Sequence, residues 1–186
     1  MSAPISVIDS LIPESAAPVK ITERQMLDAL TKRYTADNGN GDRWIRAEHV
    51  RNGTGFMGYD KVTGRCVAPL RTADFIALDG YESKKHAIHG HEVKVSRSDW
   101  FTELRDPDKA EAFRPYCDYW WLVTSSASIA KREELPDGWG LMVLGANGQL
   151  RVTKQARKID RLPLPWPMTV GLARAVQKTS RRAVTS

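Results

Sequence analysis

The sequence predicts an α/β domain built around a mixed β-sheet flanked by helices, and three observations carry that expectation. Residues 22–34 show the apolar spacing of an amphipathic helix. Residues 119–124 (YWWLVT) form a nearly continuous apolar run, as in a strand buried on both faces. Residues 141–144 and 150–153 flank Asn147-Gly148 and read as a closing hairpin. Helical and extended segments alternate around these three, which suggests one domain.

Residues 1–20 are rich in Pro, Ser and Ala, lack a sustained period and are expected to form a flexible arm. Thr22 is then placed as a helix N-cap with Gln25 at the capping-box position, and Met26, Leu27, Leu30 and Tyr34 fall on one face. The run Asp37 to Asp42 (DNGNGD) breaks that helix. Trp44 to Val50 is the first predicted strand, followed by a Gly-rich turn from Asn52 to Gly58. Phe75 to Leu78 is the second, with Asp79-Gly80 as a hairpin-turn signal, and Ala87 to Val95 is the third. Ser98 is expected to cap a short helix through Leu104, and Asp106-Pro107 to open another through Phe113. After the hairpin, a Pro-rich stretch from Leu162 to Pro167 leads into a helix from Met168 to Gln177. The expected organisation is a single domain over 21–178 between the arm and a basic tail, 179–186.

The chain has 186 residues, 41% hydrophobic and 27% charged, which suits one globular domain and excludes a coiled coil, a collagen-like chain or a mostly disordered one. No apolar run reaches bilayer-spanning length, so no membrane partner is expected. The N-terminus lacks a basic start followed by an apolar block, and Cys66 and Cys117 have no CxxC neighbour. A cytoplasmic location is therefore expected, without a disulfide framework or a thiolate zinc site. Lys plus Arg number 28 against 22 Asp plus Glu, a net charge of +6. Such a balance attracts polyanions, and nucleic acid is the commonest of these.

The chemistry-bearing pattern is Asp74 followed by Glu92-Val93-Lys94. Residues two apart on a strand share a face, so Glu92 and Lys94 project together while Val93 and Val95 face the other way. A hairpin with the preceding strand brings Asp74 beside Glu92. Adjacent carboxylates raise each other's pKa unless a cation lies between them. A hard divalent ion such as Mg2+, with Mn2+ as substitute, resolves that conflict through oxygen ligands. Lys94 would assist the attacking water or stabilise charge on a phosphoryl transition state.

Asp74, Glu92 and Lys94 in this order resemble the signature of the PD-(D/E)XK nuclease superfamily, with Ala73 standing where a Pro precedes the Asp. The flanking runs Arg71–Leu78, Glu92–Trp100, Tyr116–Val123 and Leu135–Leu141 are similar to the MmcB-type DNA repair family within it, over roughly residues 44–175. The resemblance implies a restriction-endonuclease-like fold and metal-dependent hydrolysis of DNA phosphodiesters, in repair, recombination or phage DNA processing. It implies Asp74, Glu92 and the Val93 backbone carbonyl as metal ligands, with Lys94 as catalytic base or charge stabiliser. The segment between Leu78 and Glu92 is longer and more basic than that family's.

Glu48 on the first strand is a further candidate ligand if Trp44, Arg46 and Glu48 share a face, with Glu23 on the first helix as its substitute. Arg71, Ser96, Arg97, Lys109 and Arg114 flank the acids in sequence and are candidates for gripping DNA phosphates, beside simple solvation. The basic stretch Arg151, Lys154, Arg157, Lys158 and Arg161, with Arg174, Lys178, Arg181 and Arg182, would add salt-sensitive affinity. Asp118 is a further acid or the start of the buried strand. His86, His89 and His91 have conceivable zinc spacing, but no fourth ligand is placed nearby. The expected function is an Mg2+-dependent deoxyribonuclease, with a homodimer compatible with it. The alternatives are a non-catalytic DNA-binding or scaffold protein that keeps the fold, and an RNA-directed nuclease.

Overall fold

The computed structural model describes residues 20–35, 43–53, 58–59, 66–68, 70–106 and 108–185. The expected arm through Val19, the Asp37–Asp42 break and Pro107 lie outside the described residues. Helix α1 (Glu23–Arg33) opens on the predicted capping box: Thr22 Oγ1 accepts from the Gln25 N–H at 3.3 Å and Gln25 Oε1 from the Thr22 N–H at 2.8 Å. Strand β1 (Trp44–Arg51) follows, then a separate pair of short strands, β2 (Gly58–Tyr59) and β3 (Cys66–Ala68). Next come β4 (Thr72–Asp79), β5 (Ile88–Lys94), α2 (Arg97–Arg105), α3 (Asp108–Glu111) and β6 (Tyr119–Thr124). The chain closes with β7 (Gly140–Leu144), β8 (Leu150–Lys154) and α4 (Trp166–Thr185).

The main sheet has six strands in the order β1-β4-β5-β6-β7-β8. β1, β4 and β5 form an antiparallel meander, β6 and β7 run parallel to β5, and β8 returns antiparallel. This is the mixed α/β sheet flanked by helices expected from the sequence. Each face has its own core. Helix α1 sends Met26, Leu27 and Leu30 against Phe75, Val93, Trp121 and Val123. On the other face Trp100, Ala110, Phe113 and the α4 residues Met168, Leu172 and Ala175 pack with Ile76, Trp120 and Leu122. Trp120 and Trp121 thus serve opposite cores, as period-two alternation requires of a fully buried strand.

Several boundaries differ from expectation for identifiable reasons. Ser96, not Ser98, caps α2, its Oγ accepting from the Asp99 N–H at 3.1 Å. Asp79-Gly80 does not form a two-residue turn. Asp79 is drawn into an ion pair with Arg43 and accepts from the Tyr81 N–H at 3.1 Å, and a single helical turn over Glu82–Lys84 completes the connection. The segment read as a basic tail, 179–186, belongs through Thr185 to α4, which is 20 residues long. Its amphipathic face continues past Gln177, and Thr179 Oγ1 accepts from the Glu48 N–H at 2.9 Å. Among the described residues no helix is long and apolar enough to cross a membrane.

Candidate metal and phosphodiester site

The β4–β5 ladder runs from Leu78 opposite Ile88 to Phe75 opposite His91, and then the strands part. One residue further, Asp74 Oδ2 accepts from the Val93 N–H at 2.7 Å, so a carboxylate stands where a ladder carbonyl would otherwise be. Glu92 and Lys94 project from β5 on the α2 face and are 1% and 9% exposed. Strand alternation turns the Val93 carbonyl, like its N–H, toward β4. The sequence-predicted residues Asp74, Glu92, Val93 and Lys94 therefore meet at one end of the sheet.

Two further side chains join them. Lys94 Nζ donates to Glu92 Oε1 at 2.5 Å and lies 2.9 Å from Glu103 Oε2, while Lys109 from α3 contacts Glu92 Oε1 and donates to Glu103 Oε2 at 2.9 Å. Glu103 Oε1 is buried without a hydrogen-bond partner among the described residues. Burial, reinforced by the Asp74 carboxylate, pushes Glu92 up to about 7 against the pull of both lysines. Burial likewise raises Asp74, although the Val93 N–H, Lys94 and Lys109 oppose it. Burial alone would lower Lys94, but Glu92 and Glu103 hold it above its ordinary value. Burial would raise Glu103, yet Lys94 and Lys109 bring it below the usual carboxylate range. Glu103 escaped the sequence reading. Its signal was a carboxylate three residues after the core Trp100, hence on the inward face of α2.

Glu48 does not join this cluster, correcting the expectation that it supplies a ligand. It stands opposite Phe75 on the α1 face of the sheet, where Arg24 grips both its oxygens at 2.6 Å and Arg182 lies 3.5 Å away. Trp44, Arg46 and Glu48 do share a face, but it is the face opposite Glu92. The substitute acid Glu23 instead approaches Asp74, together with His49: one ligand atom from each of the three lies within 4.8 Å of the others. His49 adopts φ 51°, a left-handed conformation uncommon for a residue with a Cβ. That kink turns the strand so that Ala47 and Val50 enter the same core, and it leaves His49 across from Asp74. Nothing local in the sequence marks this reversal.

The proposed phosphate-gripping residues divide. Lys109 is in the acid cluster, and Arg71 pairs with Asp106 at 3.0 Å, bracing the start of β4 against the α2–α3 turn. Arg97 is committed to Glu134 at 2.5 Å and to the Ile129 carbonyl at 2.8 Å, and Ser96 to its capping role. Arg114 pairs with Glu111 at 3.1 Å.

The three histidines form no zinc set. His91 Nδ1–H donates to the Phe75 carbonyl at 3.2 Å and its Nε2 accepts from the Tyr34 hydroxyl at 2.9 Å. His89 stacks on Tyr119 with ring centroids 4.7 Å apart and accepts from Trp121 Nε1–H at 3.3 Å. His86 lies in the 80–87 connection, at the end of the sheet opposite Asp74. Arg161 is at that far end too, bound at 2.9 Å to Asp118, which fixes the start of β6 by accepting from the Ile88 N–H at 2.8 Å.

No protein-family model and no curated protein matches the chain. Among solved structures, the SPO1766 protein of unknown function from Silicibacter pomeroyi has a similar fold. The TM-score is 0.55 at 17% identity, over 89% of this chain and 91% of that one. The likeness is one of fold alone.

Proposed function

We propose that the chain is a divalent-cation-dependent nuclease hydrolysing DNA phosphodiester bonds, the activity that the sequence resemblance implies. The observation that carries this reading is the buried Glu92 carboxylate beside Asp74 on adjoining strands, with Lys94 on the same face. The donor set fits a hard cation, Mg2+ or Mn2+: carboxylate oxygens of Asp74 and Glu92, the Val93 carbonyl, and the unsatisfied Glu103 Oε1 nearby. When bound, such a cation supplies positive charge that polarises a phosphoryl oxygen and acidifies water.

The protein's own groups would do the remaining work. Lys94, held charged by Glu92 and Glu103, offers a fixed ammonium to negative charge developing on the phosphoryl oxygens. The Val93 N–H anchors one Asp74 oxygen and so orients the other. Lys109 shares the Glu92 oxygen with Lys94 and would have to yield it for Glu92 to hold a cation, keeping its contact with Glu103.

A second reading, a DNA-binding or scaffold protein without hydrolysis, is favoured by one observation. Lys94 and Lys109 already neutralise Glu92 and Glu103, so the acids are balanced without a metal. Nicking of supercoiled plasmid and cleavage of single-stranded DNA with Mg2+ or Mn2+ separates the two. Hydrolysis is expected in the wild type and should fall about 100-fold or more in Glu92→Ala and in Lys94→Ala. Cleavage unchanged in both variants overturns the site, and binding without cleavage supports the scaffold.

A further inference from the structure

We propose that the groove between α4 and the outer end of β1 binds the phosphodiester backbone of a nucleic acid and delivers it to Asp74, an inference that rests on the nuclease reading. The groove has a volume of 380 Å3 and is lined by His49, Arg51, Thr72, Arg174 and Lys178, with Gly171 at its floor. Among the described residues no carboxylate lines it, and Arg51, Arg174 and Lys178 have no ion-pair partner.

This concentration of charge comes from the packing of two elements. Arg174 and Lys178 are four residues apart on α4, so they stand one above the other on one helix face, about 6 Å along the axis. Gly171 lets the helix press against β1, since a Cβ there would lie 2.4 Å from the Arg51 carbonyl oxygen. The same contact sets Arg51 opposite the two α4 cations. Like charges held together in this way repel, and a polyanion relieves the repulsion. A nucleic-acid backbone offers successive phosphates to successive cations, and the Thr72 hydroxyl is a further donor.

The groove is continuous with the acid cluster through His49. Its imidazole lines the groove, and one of its nitrogens belongs to the group of ligand atoms with Asp74 and Glu23 within 4.8 Å. A phosphate seated between Arg51 and Arg174 is thus followed along its strand by one that reaches the carboxylates. Arg51, Arg174 and Lys178 offer charge to phosphates rather than a pattern of donors and acceptors to base edges, so the contact is to the backbone.

Fluorescence anisotropy of labelled single-stranded DNA, duplex DNA and RNA oligonucleotides, in EDTA to prevent hydrolysis, tests this. Three proteins are compared: the wild type, Arg174→Glu with Lys178→Glu, and a control, Lys84→Glu with Lys85→Glu. The control makes the same change in net charge on exposed residues outside the groove, in the 80–87 connection at the end of the sheet opposite Asp74. Wild-type binding is expected, and the groove variant should bind about tenfold or more weakly with a salt slope shallower by about 1.5, the control staying within about twofold of wild type. Weakening for DNA and RNA alike assigns the contact to their shared backbone, and weakening for one alone narrows the ligand to that one. Either supports the groove.

Unchanged binding in the groove variant overturns the proposal, as does equal weakening in both variants or the absence of wild-type binding. Circular dichroism checks that the variants fold, and Arg174→Gln with Lys178→Gln repeats the test with a milder change. Plasmid nicking separates this inference from the one beneath it. Normal binding by the groove variant, with nicking that needs Glu92, removes the groove and keeps the nuclease. Loss of binding, with nicking indifferent to Glu92, removes the nuclease and keeps the groove.

Discussion

At Glu92 burial and the Asp74 carboxylate push one way while Lys94 and Lys109 pull the other, and burial with its like-charged neighbour wins. A carboxylate set against a second carboxylate is relieved by a divalent cation more fully than by ammonium groups, which carry a single charge each. Differential scanning calorimetry in EDTA and in Mn2+ checks the consequence. At Mn2+ concentrations about a hundredfold above its dissociation constant, the wild type should gain about 2.7 kcal/mol, about 5–10 °C in Tm for a chain of this size. Glu92→Gln should lose most of that shift, because an amide oxygen carries no charge to hold the ion. This residue-scale convergence was only half legible in the sequence. Glu92 and Lys94 follow from period-two geometry, whereas Lys109 and Glu103 arrive from separate helices whose packing no local pattern reports.

Among the elements, α4 shows how local propensity and tertiary contact can give opposite signs. Glycine inside an exposed helix is normally about 1 kcal/mol worse than alanine. At Gly171 the added methyl would instead meet the Arg51 carbonyl, because helix and strand approach to within backbone contact. Gly171→Ala should therefore destabilise the protein by about 2 kcal/mol in equilibrium urea unfolding. Truncation at the residues read as a tail would remove Thr179 from the Glu48 N–H as well. The length of α4 was missed because its last turns, Ser180 to Ala183, are exposed and polar, resembling a solvated tail until their register against β1 is known.

For the molecule as a whole, one core contains two histidines that stay uncharged. Burial pushes His89 down to about 4, and His91, enclosed by Tyr34 and Phe75, lies well below its ordinary value. Above about pH 6.5 these rings are neutral in both folded and unfolded chains, so their contribution is fully present. As pH falls toward 4, the unfolded chain takes up protons that the folded chain refuses, and stability is lost. Between pH 7 and pH 5, His89→Gln should lose about 1.5 kcal/mol less stability than the wild type, measured by urea unfolding at each pH.

What the sequence by itself determined was everything governed by a short repeat: the capping box at Thr22 and Gln25, the doubly buried β6, the hairpin at Asn147-Gly148, and the shared face of Glu92 and Lys94. Each depends on backbone geometry within a few residues, which composition and spacing express directly. Only the tertiary structure decided that Glu48 faces Arg24 while His49 and Glu23 approach Asp74, because the choice turns on one left-handed residue in β1 and on which sheet face α1 covers. It also decided which cations converge. Arg51, Arg174 and Lys178 meet through helix-to-strand contact between segments more than a hundred residues apart, a relation that no local period encodes.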